Sequence, residues 1–427
     1  MNLSPAPQAA GRPFVIGVLG CFCAIVALLL VSVTGAFAHA SLAGVDPADG
    51  AVVERAPSEI QLTFSEIVSP LVLRLLGPDG STTDLEDLTY SGNTLGVALP
   101  AMLSDGTHVL SWRVVSEDGH PVGGSVVFSV GAPSAMPGDP VEAVDWLVRG
   151  LVWTSKLTLY GGMAFGIGGI FAITWFGGGR EAGRTVAAVL VLAGMMGTAL
   201  AIGLQGLDAL AEPISQLTDP RIWETSLRTS FGPTALGLLA ASAVAMIAIV
   251  VPGRSGRAPA LIAVLGAGAA VAASGHAGSA DPQWLTRPMV ALHAAAMATW
   301  IGALMPLGLA LRAGGDGATV ILQRFSRAIP WLLGMLFVSG GVLAVIQVET
   351  PAALLSTAYG TVLLVKLALV ALLLALAAFN RWRLTPAVAR GEAGPRRALV
   401  RAIVAEVLIA VLILGAAATW RFTPPPR

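Results

Sequence analysis

His39 offers unusual metal-binding chemistry because it follows Ala36-Phe37-Ala38, a small-x-small box of the kind that signal peptidases cleave. Cleavage after Ala38 would make His39 the first residue, so that its α-amine and ring Nδ1 could bind one ion together. Asp118 and His120 add a carboxylate and a second imidazole two positions apart. Nitrogen donors in a tetragonal array suit Cu(II). The sequence therefore predicts a copper site of His39, Asp118 and His120 that exists only after secretion.

Other interpretations of these residues remain open. Zinc accepts similar ligands, and Asp118-Gly119 by itself is also an ordinary polar turn. The histidine exposed by cleavage is what favours a metal over a plain turn. Without cleavage, the long apolar run from Phe14 to Val33 would be a membrane anchor rather than a leader.

The composition is that of a membrane protein with a smaller soluble part. Of the 427 residues, 55% are hydrophobic and only 12% are charged, against roughly 25% charged in soluble proteins. The formal net charge is +0, so nucleic acid is not an expected partner. No phosphate-binding loop predicts a nucleotide. Both cysteines, Cys21 and Cys23, fall in the predicted leader, which would leave the mature chain without thiolate ligands or disulfides.

Short segments with period-two alternation indicate strands, among them 59–64, 71–76, 108–115 and 125–130. Turns rich in Asp, Pro and Gly separate them, which predicts a small antiparallel β-sandwich or barrel. The predicted domains are a signal peptide at 1–38, this β-domain at 39–131, a linker at 132–147 and a transmembrane domain at 148–422.

The transmembrane domain is predicted to be a bundle of eight helices, because eight apolar stretches approach the roughly 20 residues needed to cross a bilayer. They run approximately 148–176, 185–208, 231–251, 259–275, 288–311, 328–348, 357–379 and 399–420. Arginines are abundant in every second loop, starting with Arg180 and Arg184, and sparse in the others. The positive-inside rule then places the β-domain outside the cytoplasm of a bacterium, and the bundle in its inner membrane.

The β-domain resembles the periplasmic copper-binding protein CopC. The resemblance is carried by His39-Ala40-Ser41-Leu42, by Leu62-Thr63-Phe64-Ser65-Glu66 and by the run Trp112 to Gly124, which contains Asp118-Gly119-His120. It implies a cupredoxin-like β-barrel that binds Cu(II) through His39, Asp118 and His120.

Three further side chains of the β-domain bear on this site. Glu66 would supply an axial oxygen or hold a ligand in place, or else is a solvated carboxylate at a strand end. His108, just past an Asp-Gly turn, is expected on the surface. Met102 is the one methionine of the β-domain, too few for a Cu(I) site, so the domain is predicted to bind Cu(II) alone.

The membrane half resembles CopD, the membrane partner of CopC. The residues concerned are Ser274-Gly275-His276-Ala277, the run His293 to Leu304, Arg324-Phe325-Ser326-Arg327, Tyr359-Gly360 and Leu363-Leu364-Val365-Lys366-Leu367. The resemblance implies copper passage across the cytoplasmic membrane, usually assigned as uptake.

Within this half, Met289, His293 and Met297 are spaced by four and so share one helical face. Thioethers beside an imidazole suit Cu(I), and His276 adds a second imidazole. The alternative is that the methionines only pack. Lys366 and Glu406 are candidates for a buried ion pair.

The sequence thus predicts capture and transmembrane transport of copper, with roles in copper homeostasis and resistance and no enzymatic activity. The predicted partners are copper and the lipid bilayer, with periplasmic copper chaperones as further candidates. Two alternatives are copper sequestration by a membrane-anchored domain and, less favoured, a copper oxidase. Against the oxidase, Asp118 would fill the equatorial position that oxygen activation needs.

Overall fold

The computed structural model describes a β-domain followed by a helical domain. The described residues are 41–117, 119, 121–135, 145–177, 181–251, 253–314, 316–348, 350–390 and 392–422. The predicted leader and the predicted ligands His39, Asp118 and His120 lie outside them.

The described part of the β-domain folds into nine strands. They are β1 (Leu42–Asp46), β2 (Ala51–Val53), β3 (Glu59–Phe64), β4 (Ser69–Leu76), β5 (Thr82–Asp84), β6 (Leu88–Ser91), β7 (Thr94–Ala98), β8 (Gly106–Val115) and β9 (Pro121–Val130). The strands predicted from alternation fall within β3, β4, β8 and β9. Alternation works because successive side chains point to opposite faces. In β3, for example, Ile60, Leu62 and Phe64 are buried and the residues between them are more exposed.

Two sheets enclose the core of the β-domain, which confirms the predicted sandwich. One sheet has the order β1-β3-β7-β6 and is antiparallel throughout, and the other has the order β2-β9-β8-β4-β5. The pair β2–β9 is parallel, and the remaining pairs of the second sheet are antiparallel. Phe64 of the first sheet meets Trp112 of the second edge-on, with ring centres 5.2 Å apart.

The described helices follow the β-domain. They are α1 (Trp146–Phe176), α2 (Glu181–Leu210), α3 (Pro220–Arg228), α4 (Phe231–Val250), α5 (Arg257–Val271), α6 (His276–Ser279), α7 (Gln283–Ala313), α8 (Asp316–Gln347), α9 (Ala353–Ser356), α10 (Ala358–Ala389) and α11 (Ala393–Thr419). Two of them contain a π-helical turn, at Gly162–Ile167 in α1 and at Asn380–Leu384 in α10.

Seven of these helices are long and apolar enough to cross a membrane: α1, α2, α4, α7, α8, α10 and α11. The prediction of eight such spans is therefore wrong by one. The stretch 259–275 forms α5, which has only 15 residues and so is about 22 Å long, short of a hydrocarbon core of about 30 Å. The chain leaves the helix after Val271 and turns at Gly275, whose φ of 83° is left-handed.

Residues at the start of α5 and just beyond its end nevertheless contact other helices of the bundle. At its start, Arg257 Nε donates to the carbonyl of Thr174 near the end of α1 (3.3 Å). Beyond its end, the ring of His276 contacts the carbonyl of Trp420, which follows α11 (3.2 Å).

The β-domain sits on one end of the bundle, which we call the sandwich end. Arg113 Nη2 of β8 donates to the carbonyl of Asp208 in α2 (3.0 Å), and Gln283 Nε2 of α7 donates to Glu117 Oε1 (3.2 Å). The Asp208 carboxylate is held by Arg421 Nη2 at 2.7 Å.

The opposite end of the bundle, the arginine end, carries the arginine-rich loops. There Arg257 bonds to Thr174, and Arg324 Nη1 donates to the carbonyl of Phe176 (3.3 Å). The two ends of the bundle therefore differ in the way that the loop composition predicts.

Candidate metal sites

The residues next to the predicted ligands of the β-domain meet at its bundle-facing end. The backbone N–H of Ser41 donates to Ser65 Oγ, and the N–H of Ser65 donates to the carbonyl of Ser41, both at 2.9 Å. The following residue, Glu66, accepts the backbone N–H of Glu117 on Oε1 at 3.2 Å. One hydrogen-bonded row thus joins the N-terminal segment, the end of β3 and the turn after β8.

The predicted ligands are close to this row in the sequence, although they lie outside the described residues. His39 is two residues before Ser41. Asp118 directly follows Glu117, and His120 is one residue beyond Gly119. Gly119 has a φ of 84° and its N–H donates to the carbonyl of Ser116 (2.9 Å), so the chain turns tightly there.

His108 is not a surface residue, contrary to the expectation. It is 2% exposed, its Nε2 lies 2.8 Å from the carbonyl oxygen of Ser104, and its ring stacks on Phe128 at 5.4 Å. The Asp-Gly turn before it was a misleading signal, because β8 begins at Gly106 and immediately carries the chain into the core. His108 therefore has a packing role.

In the helical domain, His276 is buried at the sandwich end, with 8% of its surface exposed. Its Nε2 lies 3.2 Å from the carbonyl oxygen of Trp420. A carbonyl can only accept, so Nε2 carries the proton and the lone pair of a neutral ring is on Nδ1. Metal-binding histidines commonly have this support, in which the other ring nitrogen donates to a carbonyl.

His293 in α7 has the opposite tautomer. Its Nδ1 lies 3.2 Å from Ser339 Oγ in α8. The Ser339 hydroxyl already donates to the carbonyl of Met335 at 2.6 Å, so it accepts from His293 Nδ1–H. The lone pair of a neutral His293 ring is therefore on Nε2.

The two histidines contact α8 at different depths. Gln347 Nε2 donates to the carbonyl of His276 (3.1 Å), whereas His293 contacts Ser339. Gln347 and Ser339 are eight residues apart in α8, which is about 12 Å along a helix. The two histidines therefore contact α8 at two levels, about two helical turns apart. Among the described residues, no three His, Cys, Asp or Glu side chains are grouped to hold a metal.

The two methionines flanking His293 are partly buried. Met297 packs against apolar clusters of the bundle that include Ala295 and Ile301. Met289 lies nearer the sandwich end on α7. Their spacing of four keeps them on the predicted face of α7, and copper ligation by them stays a prediction.

Lys366 and Glu406 do not pair with each other. Lys366 Nζ lies over the ring of Trp420, 4.4 Å from its centre. Glu406 Oε1 instead accepts from Asn380 Nδ2 at 3.0 Å. Sequence adjacency of the last two spans was the basis for the expected ion pair, but it does not fix how deep each side chain lies.

A polar network around His276 was missed by the sequence reasoning. Tyr359 Oη donates to Gln347 Oε1 (3.4 Å), and the Tyr359 ring stacks on Trp420 with centres 5.2 Å apart. Gln347 stands in an apolar helix, and polar residues there are costly in lipid. That cost was the signal that could have identified it.

Comparisons with known proteins place both halves of the chain. A CopC domain model matches residues 42–131, and a model of copper resistance protein D matches residues 319–420. Copper transport protein CutJ of Bacillus subtilis (strain 168) is 26% identical over 426 residues, covering 91% of this chain and 75% of that protein.

Shorter relatives match the β-domain. Copper resistance protein C of Xanthomonas campestris pv. juglandis is 38% identical over 108 residues, covering 22% of this chain and 82% of that protein. Among solved structures, CopC from Methylosinus trichosporium OB3b is 26% identical and covers 23% of this chain and 98% of that chain, with a TM-score of 0.20.

Proposed function

Because the chain belongs to the CopC and CopD family of copper-resistance proteins, we propose that its β-domain captures copper and its bundle conducts copper across the inner membrane. The observation that carries this proposal is the hydrogen-bonded row of Ser41, Ser65, Glu66 and Glu117. Its members flank His39, Asp118 and His120 in the sequence, which supports a shared site for these three residues. The name of the CutJ relative, a copper transport protein, supports transport.

In this function the outer site binds Cu(II) through two imidazoles, one amine and one carboxylate. Glu66 holds the ligand turn by accepting the N–H of Glu117, rather than standing free in solvent. The matched families bind and transport copper, and the proposal includes no catalytic step. Copper is cargo here, and periplasmic copper chaperones would be its donors.

The proposed orientation has the β-domain outside the cytoplasm. The arginine end is opposite the β-domain, and arginine-rich loops remain on the cytoplasmic side of membranes. Copper bound outside would then meet the bundle at the sandwich end, where His276 lies.

Inside the bundle, His276 and His293 act as successive copper ligands. Each ring is fixed through the nitrogen that does not bind metal, by Trp420 in one case and Ser339 in the other. Met289 and Met297 lie on the face of His293, and their thioethers would add soft donors at that level.

Copper flux into oriented vesicles tests the transport function. We expect the native chain to move copper, and His276→Ala and His293→Ala to reduce the flux at least tenfold. Cu(II) binding by the β-domain should stay intact in both variants. Equal flux in all three chains would exclude these histidines, and absent flux with intact binding would favour sequestration by an anchored domain.

Blocking leader cleavage tests the outer site separately. Ala38→Leu leaves the nitrogen of His39 in a peptide bond, so we expect high-affinity Cu(II) binding to be lost. N-terminal sequencing of the native protein should start at His39. Retained affinity in the uncleaved variant would contradict a ligand role for the amine.

A further inference from the structure

A cavity of about 70 Å³ with a mixed polar and apolar lining lies where the β-domain meets the bundle. On the β-domain side it is lined by Gly119, the residue between the predicted ligands Asp118 and His120. On the bundle side its polar lining is Lys156, Tyr160, Gln205, Ser230, Thr234 and Ser274. A buried water needs roughly 10–15 Å³ of such space, so the cavity has room for several waters or a small hydrated ion.

Two of the lining groups lack a protein partner within the described parts of the chain. Gln205 is 6% exposed, and its Nε2 has no hydrogen-bond partner there; the same holds for Ser230 Oγ. Thr234 Oγ1 and Ser274 Oγ form a hydrogen bond with each other at 2.7 Å. Buried polar groups without partners are rare in proteins, so their presence on a cavity wall indicates that something polar occupies it.

The cavity borders residues that neighbour both candidate sites in the sequence. Ser230 touches the ligand turn, since a Cβ built on Gly119 would lie only 2.0 Å from Ser230 Oγ. On another side the cavity is lined by Gly275, whose neighbour is His276.

We propose that this cavity is a transfer chamber, which a hydrated copper ion crosses between the outer ligands and His276. The inference rests on the proposed transport function. Hydroxyl and amide groups are weak copper ligands beside imidazole, so the chamber lets copper pass without retaining it.

A thiol placed in the chamber should bind the copper that would otherwise pass through it. Ser274→Cys replaces a weak hydroxyl donor by a thiolate, a strong ligand for Cu(I), with little change in volume. We expect the full chain, loaded with ascorbate-reduced copper, to hold one additional copper with sulfur ligation by X-ray absorption. Flux into vesicles should fall at least tenfold.

Ser242→Cys is the matched control, because Ser242 is a buried serine on α4, eight residues beyond Thr234 and away from the cavity. It should bind no extra copper and transport normally. If Ser274→Cys behaves like this control while the native chain transports copper, the chamber is not on the route. If the native chain shows no flux, the transport function itself is wrong, and the sulfur signal alone then reports whether copper enters the chamber.

Discussion

At the scale of single residues, hydrogen bonds fix the ring orientation of the bundle histidines in the absence of metal. His293 is held by Ser339 Oγ, and that hydroxyl is itself fixed by donating to the carbonyl of Met335. This chain of two hydrogen bonds sets both the tautomer and the orientation of the ring. Loss of such a partner typically lowers metal affinity 10- to 100-fold.

Ser339→Ala should therefore impair transport without touching a ligand. We expect copper flux to fall about tenfold, with the Cu(II) affinity of the β-domain unchanged. Ser339→Thr keeps the hydroxyl and should retain most of the flux. Normal flux in Ser339→Ala, measured in the same vesicles, would show that the orientation of His293 is unimportant.

The ligand types were predictable from sequence, but their supports were not. An imidazole in an apolar stretch is conspicuous because its burial is costly, so His276 and His293 stand out. Ser339 does not, since serine is common in membrane helices and only its depth beside His293 gives it a role. His108 was predicted on the surface because an Asp-Gly turn precedes it. The turn residues do not indicate which side chains pack against the histidine that follows them.

At the scale of elements, Trp112 and Gly124 are a directly opposed pair on β8 and β9. A Cβ at Gly124 would lie 2.5 Å from the Trp112 ring, closer than side chains approach. The Trp112 ring is 4% exposed and contacts Phe64 across the two sheets. The glycine thus makes room for the ring that ties the sheets together.

Gly124→Ala should overpack this pair and destabilise the β-domain by about 1–3 kcal/mol. Gly150→Ala, on α1 where an added Cβ meets nothing within 4 Å, is the control and should be neutral or slightly stabilising. Thermal unfolding followed by tryptophan fluorescence compares the two. An unchanged midpoint in Gly124→Ala would mean that the ring has space to move.

A second element-level pair joins α10 and α11. Glu406 is 4% exposed and Asn380, at the start of the π-helical turn of α10, is 6% exposed; they share a 3.0 Å hydrogen bond. Removing one partner of a buried polar pair leaves the other without a hydrogen bond. Asn380→Leu should then cost about 1–3 kcal/mol, while Asn380→Leu with Glu406→Leu should recover much of that loss.

Unfolding in detergent measures this cycle, with both single variants, the double variant and the native chain. Additive losses in the double variant would contradict direct coupling of the two side chains. The same pair explains why the expected Lys366–Glu406 contact failed. Helix periodicity assigns faces, but the depth of each residue follows from packing.

At the scale of the whole molecule, sequence patterns gave the sandwich, the membrane helices and the contrast between the two bundle ends. They did not give the docking of the two halves. Arg113, Asp208, Glu117 and Gln283 are ordinary polar residues far apart in the chain, and nothing in their spacing marks them as an interface. The predicted number of membrane spans was one too high at α5. Hydropathy indicates that a segment is apolar, but it does not indicate where the helix ends.

Docking of the two halves is open to a direct test, because Glu117 and Gln283 lie in contact through a 3.2 Å hydrogen bond. With Cys21 and Cys23 also replaced by serine, Glu117→Cys with Gln283→Cys should be joined in most chains by a bifunctional maleimide with a spacer of about 10 Å, because side chains that meet at their tips leave their Cβ atoms too far apart for a disulfide. Met102→Cys with Gln283→Cys should not, because Met102 precedes β8 at the end of the β-domain remote from the bundle. The crosslinked chain should still transport copper, since the transfer chamber lies within the docked interface. Efficient crosslinking with abolished flux would mean that the β-domain must move away from the bundle during transfer, and failure to crosslink would contradict the docked arrangement itself.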